Sequence, residues 1–106
     1  MDVRIQQVLG ELRARLEVIY GRRLSGVVLY GSHARGSAEM DSDIDLLVVL
    51  RGDVSPCEEI ARTSHDVAEV SLKHNVVAAC VFVSQDQFER EQSPLLLNVR
   101  REGVPV

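Results

Sequence analysis

From Asp2 to Tyr20 the apolar residues Ile5, Val8, Leu9, Leu12, Leu16 and Ile19 recur at three- and four-residue steps, with Arg and Glu between them. That spacing predicts an amphipathic helix, and Gly21 just beyond supplies its stop. The period then changes. Gly26 opens the β-branched run "VVLY", which ends at Gly31, and after a polar stretch "DIDLLVVL" follows; both read as strands. Arg51-Gly52-Asp53 is a turn. Ser55 as N-cap, Pro56 in the first turn and Glu58-Glu59 at the positive end of a helix dipole predict a second helix from Pro56 to about Lys73.

"VVAACVFV" is a third strand, apolar throughout and therefore expected to be covered on both faces. Ser84 and Gln87 form a capping-box pattern for a short helix, and Ser93-Pro94 starts a last one that ends near Gly103. Strands with helices before, between and after them imply an α+β or α/β-like fold: a small three- to four-stranded mixed sheet packed by helices. Element order alone leaves strand polarity open.

A chain of 106 residues with 45% hydrophobic and 26% charged content has the size of one domain with one core, so residues 1–106 are expected to form a single domain. The formal net charge of -4 argues against nucleic acid as the main partner, because holding its backbone needs a concentrated excess of Lys and Arg. No apolar run approaches the ~20 residues of a membrane span, and the charged first residues do not resemble a signal peptide. The expected compartment is the cytoplasm. Cys57 and Cys80 are isolated, without pairing or metal-ligand spacing, and are expected to be reduced, structural thiols.

The chemistry concentrates in "VVLYGSHARGSAEMDSDIDLLVVL". Residues two apart on a strand share a face, so Asp43 and Asp45 present their carboxylates together while Ile44 turns into the core. Two such charges repel, and a divalent cation relieves the conflict; hard Mg²⁺ prefers carboxylate oxygens. Gly31 lets backbone approach a ligand closely, Ser32 can cap a helix and offer a hydroxyl and an N–H to a phosphate, and Arg35 can add a charge-assisted contact. A carboxylate-held metal facing an anion site is the arrangement of phosphoryl and nucleotidyl transfer. Each half taken alone has a plainer reading, since Asp-x-Asp at a strand start is commonly a solvated edge and Gly-Ser a simple turn. "GSHARGS" is not a P-loop, because the Lys after the second glycine is missing. His33, His65 and His74 lack the spacing of a zinc site.

Gly31 and Ser32, ten residues, then Asp43-Ile44-Asp45 together resemble the signature of the DNA polymerase beta-type nucleotidyltransferase superfamily, and most closely its minimal nucleotidyltransferases. The resemblance runs from Val27 to Leu50, and "SPLLLNVRREGV" is similar to the ending of small members. It implies the nucleotidyltransferase fold and a nucleoside triphosphate, with ATP the one expected, bound with Mg²⁺. Gly31, Ser32 and Arg35 would then hold the nucleotide, and Asp43 and Asp45 would be the catalytic metal ligands. It also implies AMP transfer to a hydroxyl acceptor and a protein partner, a HEPN-type toxin for which this chain would be the antitoxin, or else self-association.

The chain departs from the family pattern at one place. A third acid usually stands on the next strand, where this sequence has Ala78, Ala79 and Cys80; Asp86 and Glu89 lie beyond it. The alternative implied is a nucleotide- or partner-binding antitoxin module with weak catalysis or none.

Overall fold

The computed structural model describes residues 2–39 and 41–106. Helix α1 (Val3–Tyr20) is capped by Asp2, whose side chain accepts from the Arg4 N–H, and ends at Gly21 with φ 53°. A 3-10 turn, Gly21–Arg23, leads into β1 (Leu24–Tyr30), followed by a single-turn helix α2 (Ser32–Arg35), β2 (Ile44–Leu50) and the long helix α3 (Pro56–His74). The chain continues through β3 (Ala78–Ser84), α4 (Gln85–Arg90), α5 (Pro94–Glu102) and the two-residue β4 (Val104–Pro105). The four strands form one mixed sheet in the order β3-β2-β1-β4. β1 is antiparallel to both β2 and β4, and β2 is parallel to β3. The expected α+β architecture is therefore present, with its upper count of strands.

The apolar stripe of α1 (Ile5, Val8, Leu9, Leu12, Leu16) packs with Val27, Leu29, Leu46, Val48 and Phe82 of the sheet and with Val70 of α3 to fill one face. The other face is thinner. Leu47, Val49 and Val83 meet Leu96 and Val99 of α5, with Phe88 of α4 alongside. Cross-chain hydrogen bonds lock these layers. Arg100 donates to the Phe88 and Glu91 carbonyls, joining α5 to α4. Tyr20 Oη donates to Oε1 of Glu59 at 2.9 Å. Glu59, read from sequence as a first-turn acid, is in fact buried, and Arg62 lies 3.5 Å from the same oxygen.

Several local expectations are met and others need correction. The capping box of Ser84 and Gln87 is fully formed, and Ser93 accepts from the Leu96 N–H. Ser55 occupies the N-cap of α3 but makes no side-chain capping bond. β1 begins three residues before "VVLY", because Leu24 already pairs with Leu50. The expectation that β3 is covered on both faces holds only for its far end. Phe82 and Val83 are buried, whereas Ala79 is exposed, because β3 is an edge strand and α4 and α5 pack only toward its C-terminal half. Both cysteines are free; Cys57 is exposed, and burial pushes the Cys80 thiol up to about 11. Among the described residues no helix is long and apolar enough to cross a membrane.

Candidate functional site

The strand register assembles the site. Tyr30 pairs with Asp45 across β1 and β2, and Asp45 pairs with Ala79 across β2 and β3, so these three side chains stand abreast on the thinner face. Tyr30 packs at the margin of the α5 layer, Asp45 is half-buried beside it and Ala79 is exposed. Ile44 is fully buried on the opposite face. Asp43 precedes the first residue of β2 and is exposed, whereas Asp45 is half-buried.

At Gly31 β1 breaks into α2 with φ 77° and ψ -155°, a conformation that L side chains rarely adopt. A Cβ built there would collide with Oδ2 of Asp45 and stand 3.3 Å from its Cγ. The bare backbone of the turn is thus laid directly against the acid. Gly31, not Ser32, takes the N-cap of α2; this corrects the expectation that Ser32 caps it and makes Ser32 the first helical residue. The Arg35 N–H closes the turn onto the Gly31 carbonyl at 3.1 Å, and the Ser37 N–H onto the Ser32 carbonyl at 3.0 Å.

Electrostatics bind the two halves of the motif. Burial, and next the charge of Asp43, hold the Asp45 carboxyl above its usual range, while His33 and Arg35 partly offset this. Burial, followed by the Asp45 charge, likewise raises the Tyr30 hydroxyl. His33 in its Nε2–H tautomer donates to the Ser42 carbonyl at 3.1 Å, and Ser42 Oγ accepts from the Glu39 N–H at 2.8 Å. These bonds fasten α2 to the residue before Asp43. Arg35 Nη1 is 3.6 Å from Oε2 of Glu102 at the end of α5.

The structure therefore brings Gly31, Asp43, Asp45 and Arg35 together, with Ser32 at the head of the same turn. It adds Tyr30, His33 and Glu102, which sequence reasoning missed. Tyr30 was recoverable, since it directly precedes the glycine of the turn. Glu102 carried no signal, because nothing in the chain order relates it to Arg35.

The donor set fits a divalent cation such as Mg²⁺. Two crowded carboxylates, one of them reluctant to ionise, are what a hard cation relieves, and Mg²⁺ is commonly held by one or two carboxylates plus substrate phosphates. No cluster of three or more His, Cys, Asp or Glu side chains suited to a metal occurs among the described residues. Ala79 occupies the place abreast of Asp45. Asp86 and Glu89 follow the far end of β3, about 16 Å along the strand from Ala79 at its rise per residue. Neither can take the place of a third acid.

A family model for the nucleotidyltransferase domain matches residues 5–96. The chain belongs to the nucleotidyltransferase domain family. Two Methanocaldococcus jannaschii proteins, each named "putative protein adenylyltransferase", are similar to it. One is 26% identical over 73 residues, covering 69% of this chain and 73% of its own. The second is 29% identical over 86 residues, covering 81% and 80%. A solved structure described as a "putative minimal nucleotidyltransferase" superposes on all of this chain and 97% of its own, with a TM-score of 0.59 and 27% identity. That full-length likeness puts this nucleotidyltransferase domain among the minimal members of its family. A toxin-antitoxin crystal structure with AMP-PNP shares its fold at a TM-score of 0.62 and 16% identity, over 89% of this chain and 68% of that one.

Proposed function

We propose that the chain binds a nucleoside triphosphate, ATP, together with Mg²⁺, and transfers AMP to a hydroxyl on a partner protein in the cytoplasm. The observation that carries this reading is the contact between the Gly31 turn and Asp45, where the absent side chain leaves backbone next to a carboxylate. A triphosphate approaching that turn would meet amides on one side and the acid pair on the other. The name shared by the two similar archaeal proteins, protein adenylyltransferase, supports AMP as the group moved and a protein as its acceptor. Toxin-antitoxin assemblies that share the fold, one of them with AMP-PNP, support a toxin as that acceptor, and we take a HEPN-type toxin as the working partner.

In this reading Ser32 gives its hydroxyl and N–H to the phosphates, and Arg35 adds a charge-assisted contact. Asp43 and Asp45 would hold Mg²⁺, which supplies neutralisation of the charge that develops at the reacting oxygens. The acceptor oxygen bonds to the α-phosphorus, the bond from that phosphorus to the bridging oxygen of pyrophosphate breaks, and the acceptor proton must leave. With Ala79 abreast of Asp45, no side chain of β3 is placed to take that proton. It passes to solvent or to a base on the partner.

That same alanine favours a second reading, in which the chain binds nucleotide and partner as an antitoxin with little turnover. Calorimetry with ATP in Mg²⁺ and in EDTA, followed by labelled-ATP transfer to the products of neighbouring genes, separates the two. Metal-dependent binding with transfer is expected for the first reading, and metal-dependent binding without it for the second. Equal affinity in EDTA removes the metal site from both.

A further inference from the structure

Glu102 is the last residue of α5, where the unpaired carbonyls of a helix carry partial negative charge and a carboxylate is disfavoured. Arg100 and Arg101 before it obey that rule, and Glu102 breaks it. A side chain set against its local preference points to a tertiary purpose. Its carboxylate lies between two arginines, the neighbouring Arg101 at 3.8 Å and Arg35 at 3.6 Å; only Arg35 comes from another element, and Glu102 and Arg35 are 34% and 51% exposed.

The platform under Glu102 is rigid. The Gly103 N–H donates to the Val99 carbonyl at 2.8 Å, and a Cβ at Gly103 would meet Val28 Cγ1 and the Val99 oxygen at 2.5 Å. Directly after it Val104 and Pro105 pair with Leu29 and Val28 of β1. Arg35 is the opposite case, a long side chain on a four-residue helix. Its contact with Glu102 engages one terminal nitrogen and leaves the other and Nε for a ligand. It sits three residues after Ser32 in the single turn that Gly31 opens.

We propose that Glu102 is a positioning residue that holds the Arg35 guanidinium ready for the triphosphate, so that the end of α5 and β4 belong to the nucleotide site. The inference deepens the proposed function and rests on its assignment of Arg35 to the nucleotide. Holding a rotamer-rich side chain before binding removes part of the ordering cost that the ligand would otherwise meet.

A double-mutant cycle read by calorimetry with MgATP tests it. Glu102→Ala is expected to weaken binding about threefold to tenfold, the range for fixing one long side chain. Glu102→Gln, which keeps the length of the side chain but not its charge, should recover little of that loss, because the 3.6 Å contact is an ion pair and not a hydrogen bond. In an Arg35→Ala background Glu102→Ala should change affinity less than twofold, whereas a merely structural role would cost the same in both backgrounds. Melting curves of all variants exclude unfolding as the cause. Unchanged or tighter binding by Glu102→Ala overturns the proposal, as does an equal loss in both backgrounds. Wild-type protein that fails to bind MgATP overturns the nucleotide site itself, and this inference with it.

Discussion

The two faces of the sheet are built from the same three strands and have opposite fates. On the face under α1 and α3, the side chains of Leu29, Leu46, Val27 and Val48 are all buried, and only the β3 edge, at Ala78 and Cys80, is half-exposed. On the other face three successive rows cross the strands: Gly26, Val49 and Val83; Val28, Leu47 and Val81; Tyr30, Asp45 and Ala79. Val49, Val83, Val28, Leu47 and Val81 pack with α4 and α5 and Tyr30 joins them at the margin, so the cover thins across the third row to the half-buried Asp45 and the exposed Ala79. A short, one-ended cover thus leaves the end of a hydrophobic layer open to a ligand, with Asp45 half-buried at its margin and Asp43 exposed beside it. Stability should depend on the closed face and binding on the open row.

Removing packing on the closed face is the most damaging change. Leu46→Ala should cost about 2–5 kcal/mol, as large-to-small substitutions in a filled core do. Urea unfolding measures it, and a cost below about 1 kcal/mol would mean that this face is less well filled than its burial indicates.

Gly31→Val is next, and it should separate the two roles only partly. The positive φ and the collision with Asp45 together are expected to cost about 1–3 kcal/mol, and nucleotide affinity should disappear. Circular dichroism shows whether the variant folds. A folded variant that binds MgATP as well as wild type would count against the phosphate turn.

A sharper probe uses two adjacent alanines. Ala78 packs against the closed core and Ala79 stands in the open row. Ala78→Asp should lose about 1–3 kcal/mol through a poorly solvated carboxylate, while Ala79→Asp should stay within about 0.5 kcal/mol of wild type. Only Ala79→Asp should raise AMP transfer, by supplying an acid beside Asp45. Equal effects at the two positions would break the distinction between the faces.

The smallest expected effect concerns Asp45 and pH. Its folded-state carboxyl is held above the ordinary value of 3.8 by burial and by Asp43. With rising pH the unfolded chain loses that proton first, so the stability this group contributes is full below about pH 3.8 and declines as pH rises through the folded value. Asp45→Asn removes the penalty. It should melt slightly above wild type at pH 7, with the gap closing toward pH 3.5, and should bind MgATP far more weakly at neutral pH. A lower melting temperature than wild type at pH 7 would show that Asp45 is stabilised, not strained, in the folded protein.

Much of this molecule could be read along the chain because the signals are local. The three- and four-residue rhythm of α1, the capping box at Ser84 and the β-branched runs each report on neighbours a few residues apart; the helix and the capping box formed where expected, and the strands formed with their ends shifted by up to three residues. The spacing from Gly31-Ser32 to Asp43 and Asp45 was also sufficient to identify the family, because a turn after one strand and acids at the head of the next must meet when those strands pair. What could not be read are relations that depend on register and cover. Strand order and polarity decided that Ala79, not Ala78, stands beside Asp45. The one-ended reach of α4 and α5 left β3 half-covered despite its uniformly apolar sequence. Glu102 met Arg35 only because β4 folds back onto β1 and sets the end of α5 beside α2. A residue's local neighbours shape its backbone, but which distant side chain it faces is set by the packing of whole layers.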